Sequence, residues 1–270
     1  MKFKNVFALT VSLIGCFSKS FVASAEIREV KAMSEVYSSI TPGSVVVFDL
    51  DNTVLEARQT LGTDQFFSYL VKKAEEAGLR GQDAKDLALL QTSEIQPISP
   101  VRLVEESTLG FLRSLQERNV TVFALTARPF AWAKGTLNQL ASLQIDFSKT
   151  APRIPKDTNR APKELCYQGG VIFLRPGEDK GNVLVKFLSV SKQSPEKIVF
   201  IDDKLHNVES VDTALNAAEI ENIEFRYGAA DERVKSFDSQ LANFEFHYFL
   251  LHKVFLDDKK AKELLLNTLK

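Results

Sequence analysis

The sequence predicts an α/β fold: a central, mainly parallel sheet with a mainly helical segment inserted near its start. Three observations predict it. Short apolar runs rich in β-branched and aromatic residues, "SVVVF" (44–48), "VTVFAL" (120–125), "VIFL" (171–174), "KIVFI" (197–201) and "IEFRY" (223–227), alternate with stretches of other character. Those stretches show helical periodicity, so the alternation reads as βα units on a buried sheet. The third observation is a length. About 65 residues, Leu55 to Asn119, separate the first two runs, far more than one crossover helix requires.

At 270 residues the chain is long enough for one large domain or a domain with an inserted cap. It is 44% hydrophobic and 26% charged with a formal net charge of −1, which gives no reason to expect a nucleic-acid partner.

The first 25 residues, "MKFKNVFALTVSLIGCFSKSFVASA", place Lys2 and Lys4 ahead of an uncharged, mostly apolar run from Val6 to Phe17. That pattern reads as an export signal, too short for a permanent bilayer span. Two endings compete. Ala23-Ser24-Ala25 suits ordinary signal peptidase, whereas Leu13-Ile14-Gly15-Cys16 resembles a bacterial lipobox, in which residues 1–15 leave and Cys16 carries the lipid. The expected location is therefore outside the cytoplasm: periplasmic, secreted, or an outer-membrane lipoprotein whose sole membrane contact is that anchor. A cut after Ala25 removes three of the 34 basic residues and no acid, leaving 31 against 35, or −4. Either cut leaves Cys166 as the one free thiol, so no internal disulfide supports the fold. Cys166 is expected to be a buried structural residue.

The insertion 55–119 contains "DQFFSYLVKKAEEAGLRGQDAKDLALLQ", which is helical and would project as a cap, leaving 26–54 and 120–270 as the core. Thr108, Phe111, Leu112 and Leu115 recur at i, i+3, i+4, i+7 before the second strand. A second insertion, Ala127 to Asp179, holds the Pro-rich "TAPRIPKDTNRAP", an expected loop, and "YQGGVIFLRPGEDKG", an expected hairpin. Val183, Leu184, Phe187 and Leu188 form another stripe before "KIVFI", and the chain beyond Tyr227 reads as helical.

Four chemical elements occur in a set order. Asp49-Leu50-Asp51-Asn52-Thr53, a DxDxT pattern, follows the first strand, and Thr126 ends the second in "FALTARP". Lys180 opens a helix in "GEDKGNVL", and "VFIDDKLHN" puts Asp202 and Asp203 at another strand end with Asn207 shortly after. Parallel strands point their carboxyl ends one way, and ligands bind in the crevice outside those ends. If the strands bearing Asp49, Thr126 and Asp202 are neighbours, their terminal side chains converge there. Carboxylates gathered so closely repel unless a cation neutralises them, and hard oxygen ligands favour Mg²⁺.

These elements resemble motifs I to IV of the haloacid dehalogenase (HAD) superfamily of phosphohydrolases, over roughly Gly43 to Tyr227, and within it an exported bacterial branch. The resemblance implies a Rossmann-like core, Mg²⁺ dependence and a small phosphorylated substrate. It departs at Asn207, where many members have an Asp. A phosphoryl transfer of this type gives each residue a part. Asp49 is the expected nucleophile, forming an aspartyl-phosphate, and Asp51 the group that protonates the leaving oxygen and later deprotonates water. Thr126, with the backbone N–H groups of Ala127 and Arg128, would hold phosphate oxygens, and the Arg128 side chain is a candidate for the same task. Lys180 supplies fixed positive charge. Mg²⁺ would be held by Asp202, the Asp49 carboxylate and the Asp51 carbonyl, with Asp203 and Asn207 in support.

Each residue also has a plainer reading. Asp, Asn and Thr at strand ends form turns and cap helices; it is the joint order of the four that favours chemistry. His206 is within reach of the site but is expected in solvent, and His247 and His252 in structural roles; Gln65, Phe66, Phe67 and Tyr69 lie near enough in sequence to contact substrate, yet their helical spacing places them in the cap's own core. The expected activity is an Mg²⁺-dependent phosphatase. The alternatives are a phosphotransferase or phosphomutase using the same aspartyl-phosphate, and an exported surface or binding protein with little catalysis.

Overall fold

The computed structural model describes residues 27–154 and 165–268. Residues 1–26, the expected leader with Cys16 among them, residues 155–164 of the Pro-rich stretch and residues 269–270 lie outside the described residues. In chain order the strands are β1 (Ile27–Val30), β2 (Ser44–Phe48), β3 (Leu55–Ala57), β4 (Val101–Leu103), β5 (Thr121–Thr126), β6 (Cys166–Gln168), β7 (Val171–Phe173), β8 (Lys197–Asp202) and β9 (Asn222–Tyr227). The helices are α1 (Asp64–Glu76), α2 (Gln82–Thr92), α3 (Thr108–Glu117), α4 (Ala133–Ser142), α5 (Lys180–Val190), α6 (Leu205–Ala217), α7 (Asp231–Lys235), α8 (Ser239–His252) and α9 (Asp258–Thr268).

Seven strands form the central sheet in the order β1-β9-β8-β2-β5-β7-β6. Every neighbouring pair is parallel except β6 and β7, which form an antiparallel hairpin. Its two-residue turn is Gly169-Gly170, with φ +61 and +80, values that glycine adopts without strain. The strands β2, β5 and β8 lie side by side in the middle, which is why they read as almost unbroken apolar runs: both faces are covered. Val46, Phe48, Val122, Ala124, Val199 and Ile201 face one layer, containing Leu112 and Leu115 of α3 and Leu140 of α4. The alternate residues Val45, Val47, Phe123, Leu125, Ile198 and Phe200 face α5 and α6, through Val183, Leu184, Phe187, Leu188, Val208 and Val211. Each Val, Leu, Ile or Phe among them contributes roughly 1.5–3 kcal/mol on burial.

A third cluster is separate from the sheet. Leu61, Phe66, Leu70, Ala88 and Ile95 pack with Ala242 and Phe249, so α1 and α2 join the C-terminal helix α8. Chain order does not announce this partnership, since some 150 residues separate the two segments. Not all of residues 55–119 leave the sheet. The α3 stripe is core, and β3 pairs with β4 as a small antiparallel ribbon beside the site loop. Cys166 is half-buried on the edge strand, not fully enclosed as expected, because β6 has a sheet neighbour on one side alone.

Candidate active site

The loop leaving β2 wraps around one carbonyl. The backbone N–H groups of Thr53, Val54 and Leu55 all donate to Leu50 O, at 3.3, 2.9 and 2.9 Å. The turn needs one residue in the left-handed region, and Asn52 takes it with φ 59, a conformation that asparagine tolerates better than most. The turn-forming reading of this loop is thus correct as far as it goes. The same turn fixes two carboxylates in different surroundings.

Asp49 is buried between β5 and β8. Its carboxylate accepts from Lys180 Nζ and from Thr53 Oγ1 at 3.3 Å. Lys180 Nζ also donates to Asp202 Oδ2 at 2.6 Å, so one ammonium bridges the ends of β2 and β8. Lys180 is the first residue of α5, after the cap Asp179, whose carboxylate accepts from Asn182 N at 2.9 Å. Close contact between α5 and α6 brings it into place. A Cβ on Gly181 would lie 2.1 Å from Ser210 O, so only glycine admits this approach.

Asp202 is fully buried and accepts from Lys204 N at 2.8 Å. Asn207 donates Nδ2 to both of its oxygens, at 3.0 and 3.1 Å. Asn207 therefore orients Asp202 with its amide N–H groups, in a supporting position. Asp203 accepts from Asn52 Nδ2 at 3.2 Å. Oxygens of Asp49, Asp202 and Asp203 all lie within 4.8 Å of one another.

Asp51 points elsewhere. Arg128 grips it with two parallel bonds, Nε to Oδ2 and Nη2 to Oδ1, each 2.8 Å. Burial opposes ionisation of Asp51, but the Arg128 charge and hydrogen bonds outweigh it and hold the carboxyl below the usual range. Burial instead dominates at Asp49, aided by Asp202 and Asp51 against Lys180, and pushes it up to about 7. Asp203 goes up to about 8 for the same reason, with Asp49 and Asp202 adding to it. Lys180 resists the opposite pull of burial, because Asp202 and Asp49 hold its proton. Thr126 is buried at the end of β5, its Oγ1 accepting from Arg128 N at 3.2 Å, and Ala127 is exposed beside it.

Several contributors were not foreseen. Lys204 forms an ion pair with Asp64 at 2.9 Å, and Gln65 Nε2 donates to Asn52 Oδ1 at 3.1 Å, so the first turn of α1 is bound to both site loops. Arg226 donates Nε to Asp203 O at 2.9 Å while Asp231 holds its Nη groups. Position alone could have flagged Lys204, which lies inside "IDDKLHN", and Arg226, at the end of a parallel strand. Phe66, Phe67 and Tyr69 belong to the helical cluster as expected, whereas Gln65 turns to the site. His206, His247 and His252 are exposed.

A family model described as "Protein of unknown function (DUF2608)" matches residues 29–262. The chain belongs to that family. Among similar proteins, relatives from Chlamydia bear the name "Putative outer membrane protein". One from Chlamydia pneumoniae is 27% identical over 85% of this chain and 87% of its own length. Another, from Chlamydia trachomatis, is 28% identical over 69% and 70%. Solved structures similar to this DUF2608 chain include a haloacid dehalogenase-like hydrolase of Streptococcus pneumoniae, at 13% identity and TM-score 0.40 over 69% of this chain and 94% of that one. A class C acid phosphatase of Bacillus anthracis is similar at 12% identity and TM-score 0.35, over 88% and 84%. Among the described residues, no helix is long and apolar enough to cross a membrane.

Proposed function

We propose that this protein is a Mg²⁺-dependent phosphatase of the HAD type, acting outside the cytoplasm on a small phosphate monoester. One observation carries the reading: Asp49, Asp202 and Asp203 converge at the carboxyl ends of β2 and β8, with Lys180 between the first two. Counted with Asp51 and Asp64, five acids meet three cations, Lys180, Arg128 and Lys204. Two negative charges are left over, the complement of one divalent ion. The donor set is oxygen alone, which suits Mg²⁺, and the upward shifts of Asp49 and Asp203 mark the carboxylates whose charge the protein's own groups leave under-compensated. Bound there by Asp49, Asp202 and Asp203, Mg²⁺ would draw charge from the phosphoryl oxygens.

The protein's own groups then divide the work. An oxygen of Asp49 attacks phosphorus, the bond to the leaving oxygen breaks, and the phosphoryl group rests on Asp49 as an acyl phosphate. Lys180 draws Asp49 toward its ionised form against burial and faces the negative charge that builds up. Thr126 and the N–H of Ala127 hold phosphoryl oxygens. Gripped by Arg128, Asp51 stands in its base form, which is the form needed to take a proton from the water that hydrolyses the intermediate. Protonating the leaving oxygen in the first half-reaction requires Arg128 to loosen that grip. The leader-like residues 1–25 and the names of the Chlamydia relatives support an exported location.

The test uses the chain lacking residues 1–25 with a panel of phosphate monoesters, with and without Mg²⁺. Turnover that needs Mg²⁺ and disappears in Asp49→Asn, at unchanged unfolding midpoint, is the expected result. Turnover of wild-type size in that variant, or an inert wild type across the panel, would overturn the proposal.

A further inference from the structure

Arg128 does more than meet Asp51. Its remaining Nη1 donates to Thr136 Oγ1 at 3.1 Å and to Gln139 Oε1 at 2.6 Å, both on α4 and both buried. Gln139 in turn donates Nε2 to two backbone carbonyls, Gln96 O and Ser99 O, each at 2.8 Å. Those residues lie where the chain leaves the helical insertion and returns to the ribbon strand β4. Arg128, Thr136, Gln139, Gln96 and Ser99 are all nine-tenths or more buried, so water cannot replace a bond that breaks. We infer that Gln139 is a positioning residue that couples the seating of the insertion to Asp51, an inference that rests on the reading of Asp51 as the proton-handling group.

The chemistry of the amide explains why glutamine serves here. Its oxygen must face the guanidinium, which only donates, and its nitrogen must face the carbonyls, which only accept. No other orientation satisfies both sides, and a glutamate would set a carboxylate against two carbonyls. The guanidinium is rigid and planar, and bonds on opposite edges hold it at once. Asp51 is therefore released only if Arg128 shifts, and Arg128 shifts only if its α4 bonds break or residues 96–99 move with Gln139. A second feature of the joint points the same way. A Cβ on Gly135 of α4 would lie 2.4 Å from Pro97 O and 2.5 Å from Pro97 Cβ, so α4 touches this segment at backbone distance. Seating of the insertion, one bond network away, decides how Asp51 meets a leaving group.

Two substitutions probe the joint without touching Asp51 or Arg128. Gln139→Leu keeps the bulk and removes both polar functions, while Gly135→Ala pushes the 96–99 segment off α4. Each is assayed on two esters: an alkyl phosphate such as glycerol phosphate, whose leaving oxygen needs a proton, and p-nitrophenyl phosphate, whose leaving group does not. Misplaced general acid catalysis is expected to lower kcat on the alkyl ester on the order of a hundredfold. The nitrophenyl ester should lose much less, with KM little changed on either. Equal losses on the two esters, as general loosening would give, overturn the inference, and so does an unchanged alkyl-ester rate. Should the wild type hydrolyse no ester of the whole panel, the proposed function falls and a stability cycle decides the coupling. Denaturant midpoints of Gln139→Leu, Arg128→Leu and the double variant are expected to be non-additive, and simple additivity would sink it.

Discussion

Asp49 and Asp203, at the ends of β2 and β8, and Glu224, in the middle of neighbouring β9, are buried acids in one sheet, and burial raises the pKa of all three. Their surroundings differ. Asp49 receives Lys180 and Thr53, Asp203 receives Asn52 and has its carbonyl held by Arg226, and a third acid, Asp202, completes the group. Glu224 is fully enclosed between Phe200 and Ile27 on the adjoining strands, and neither of its oxygens has a hydrogen-bond partner. Strand ends open onto loops that bring donors; a mid-strand position in a covered sheet brings none. Buried acids that are gathered, bridged and still short of cations offer a place for a further cation. A buried acid alone is a cost to stability.

The largest effect expected from breaking this contrast lies at Lys180. Lys180→Met removes the cation between Asp49 and Asp202, and the proposed phosphatase activity should fall on the order of a thousandfold. Stability should fall too, by about 3–5 kcal/mol, because two buried carboxylates lose their partner. If the site takes a divalent ion as proposed, adding Mg²⁺ should return part of that stability, a rescue read directly as a rise in unfolding midpoint. A Met variant that keeps full activity would remove Lys180 from the machinery.

Next in size is the response of the intact protein to the ion alone. Mg²⁺ at a hundred times its dissociation constant stabilises a folded state by about 2.7 kcal/mol. Asp203→Asn deletes one of the three converging oxygens and should erase most of that rise, whereas Glu224→Gln, buried in the same sheet, should leave it intact. Equal Mg²⁺ responses in the two variants would mean that the ion binds elsewhere.

Much of this was legible in the sequence, and the limits were physical. The central strands β2, β5 and β8 appear as runs because a doubly covered parallel strand must be apolar on both faces, and the DxDxT loop, Thr126 and Asp202 stand at ends that such runs define. What the sequence hid depends on packing between distant segments. Nothing local in "FEFHYFLL" says that α8 closes the cluster built by Phe66 and Leu70. Arg128 was visible as a cation near phosphate, yet its bonds to Asp51 and Gln139 come from an inter-element angle that no spacing encodes. Asn207 was read by its place in a motif; which end of its amide faces Asp202 is set by the carboxylate it meets. Glu224, inside "IEFRY", lies on the face of β9 that α6 covers, and no local spacing says which helix packs there.

The smallest effect concerns Glu224 alone and sharpens the contrast without touching chemistry. Burial, with a contribution from the Asp212 charge, pushes its pKa up to about 8 from 4.5. Below pH 4.5 it is protonated in the folded and unfolded chains alike, so its protonation adds no slope. Between pH 4.5 and 8 the unfolded chain releases the proton while the folded one keeps it, so stability falls as pH rises. The fall is steepest at about 1.4 kcal/mol per pH unit and levels off above 8, where both states are ionised. Glu224→Gln stays neutral throughout. Measured against wild type, it should match at pH 4 and gain stability steadily toward pH 8, with no change in Mg²⁺ response. A difference between the two proteins that stays flat across that range would show that Glu224 is ionised and solvated in the fold, and that the sheet's two kinds of buried acid are not distinct.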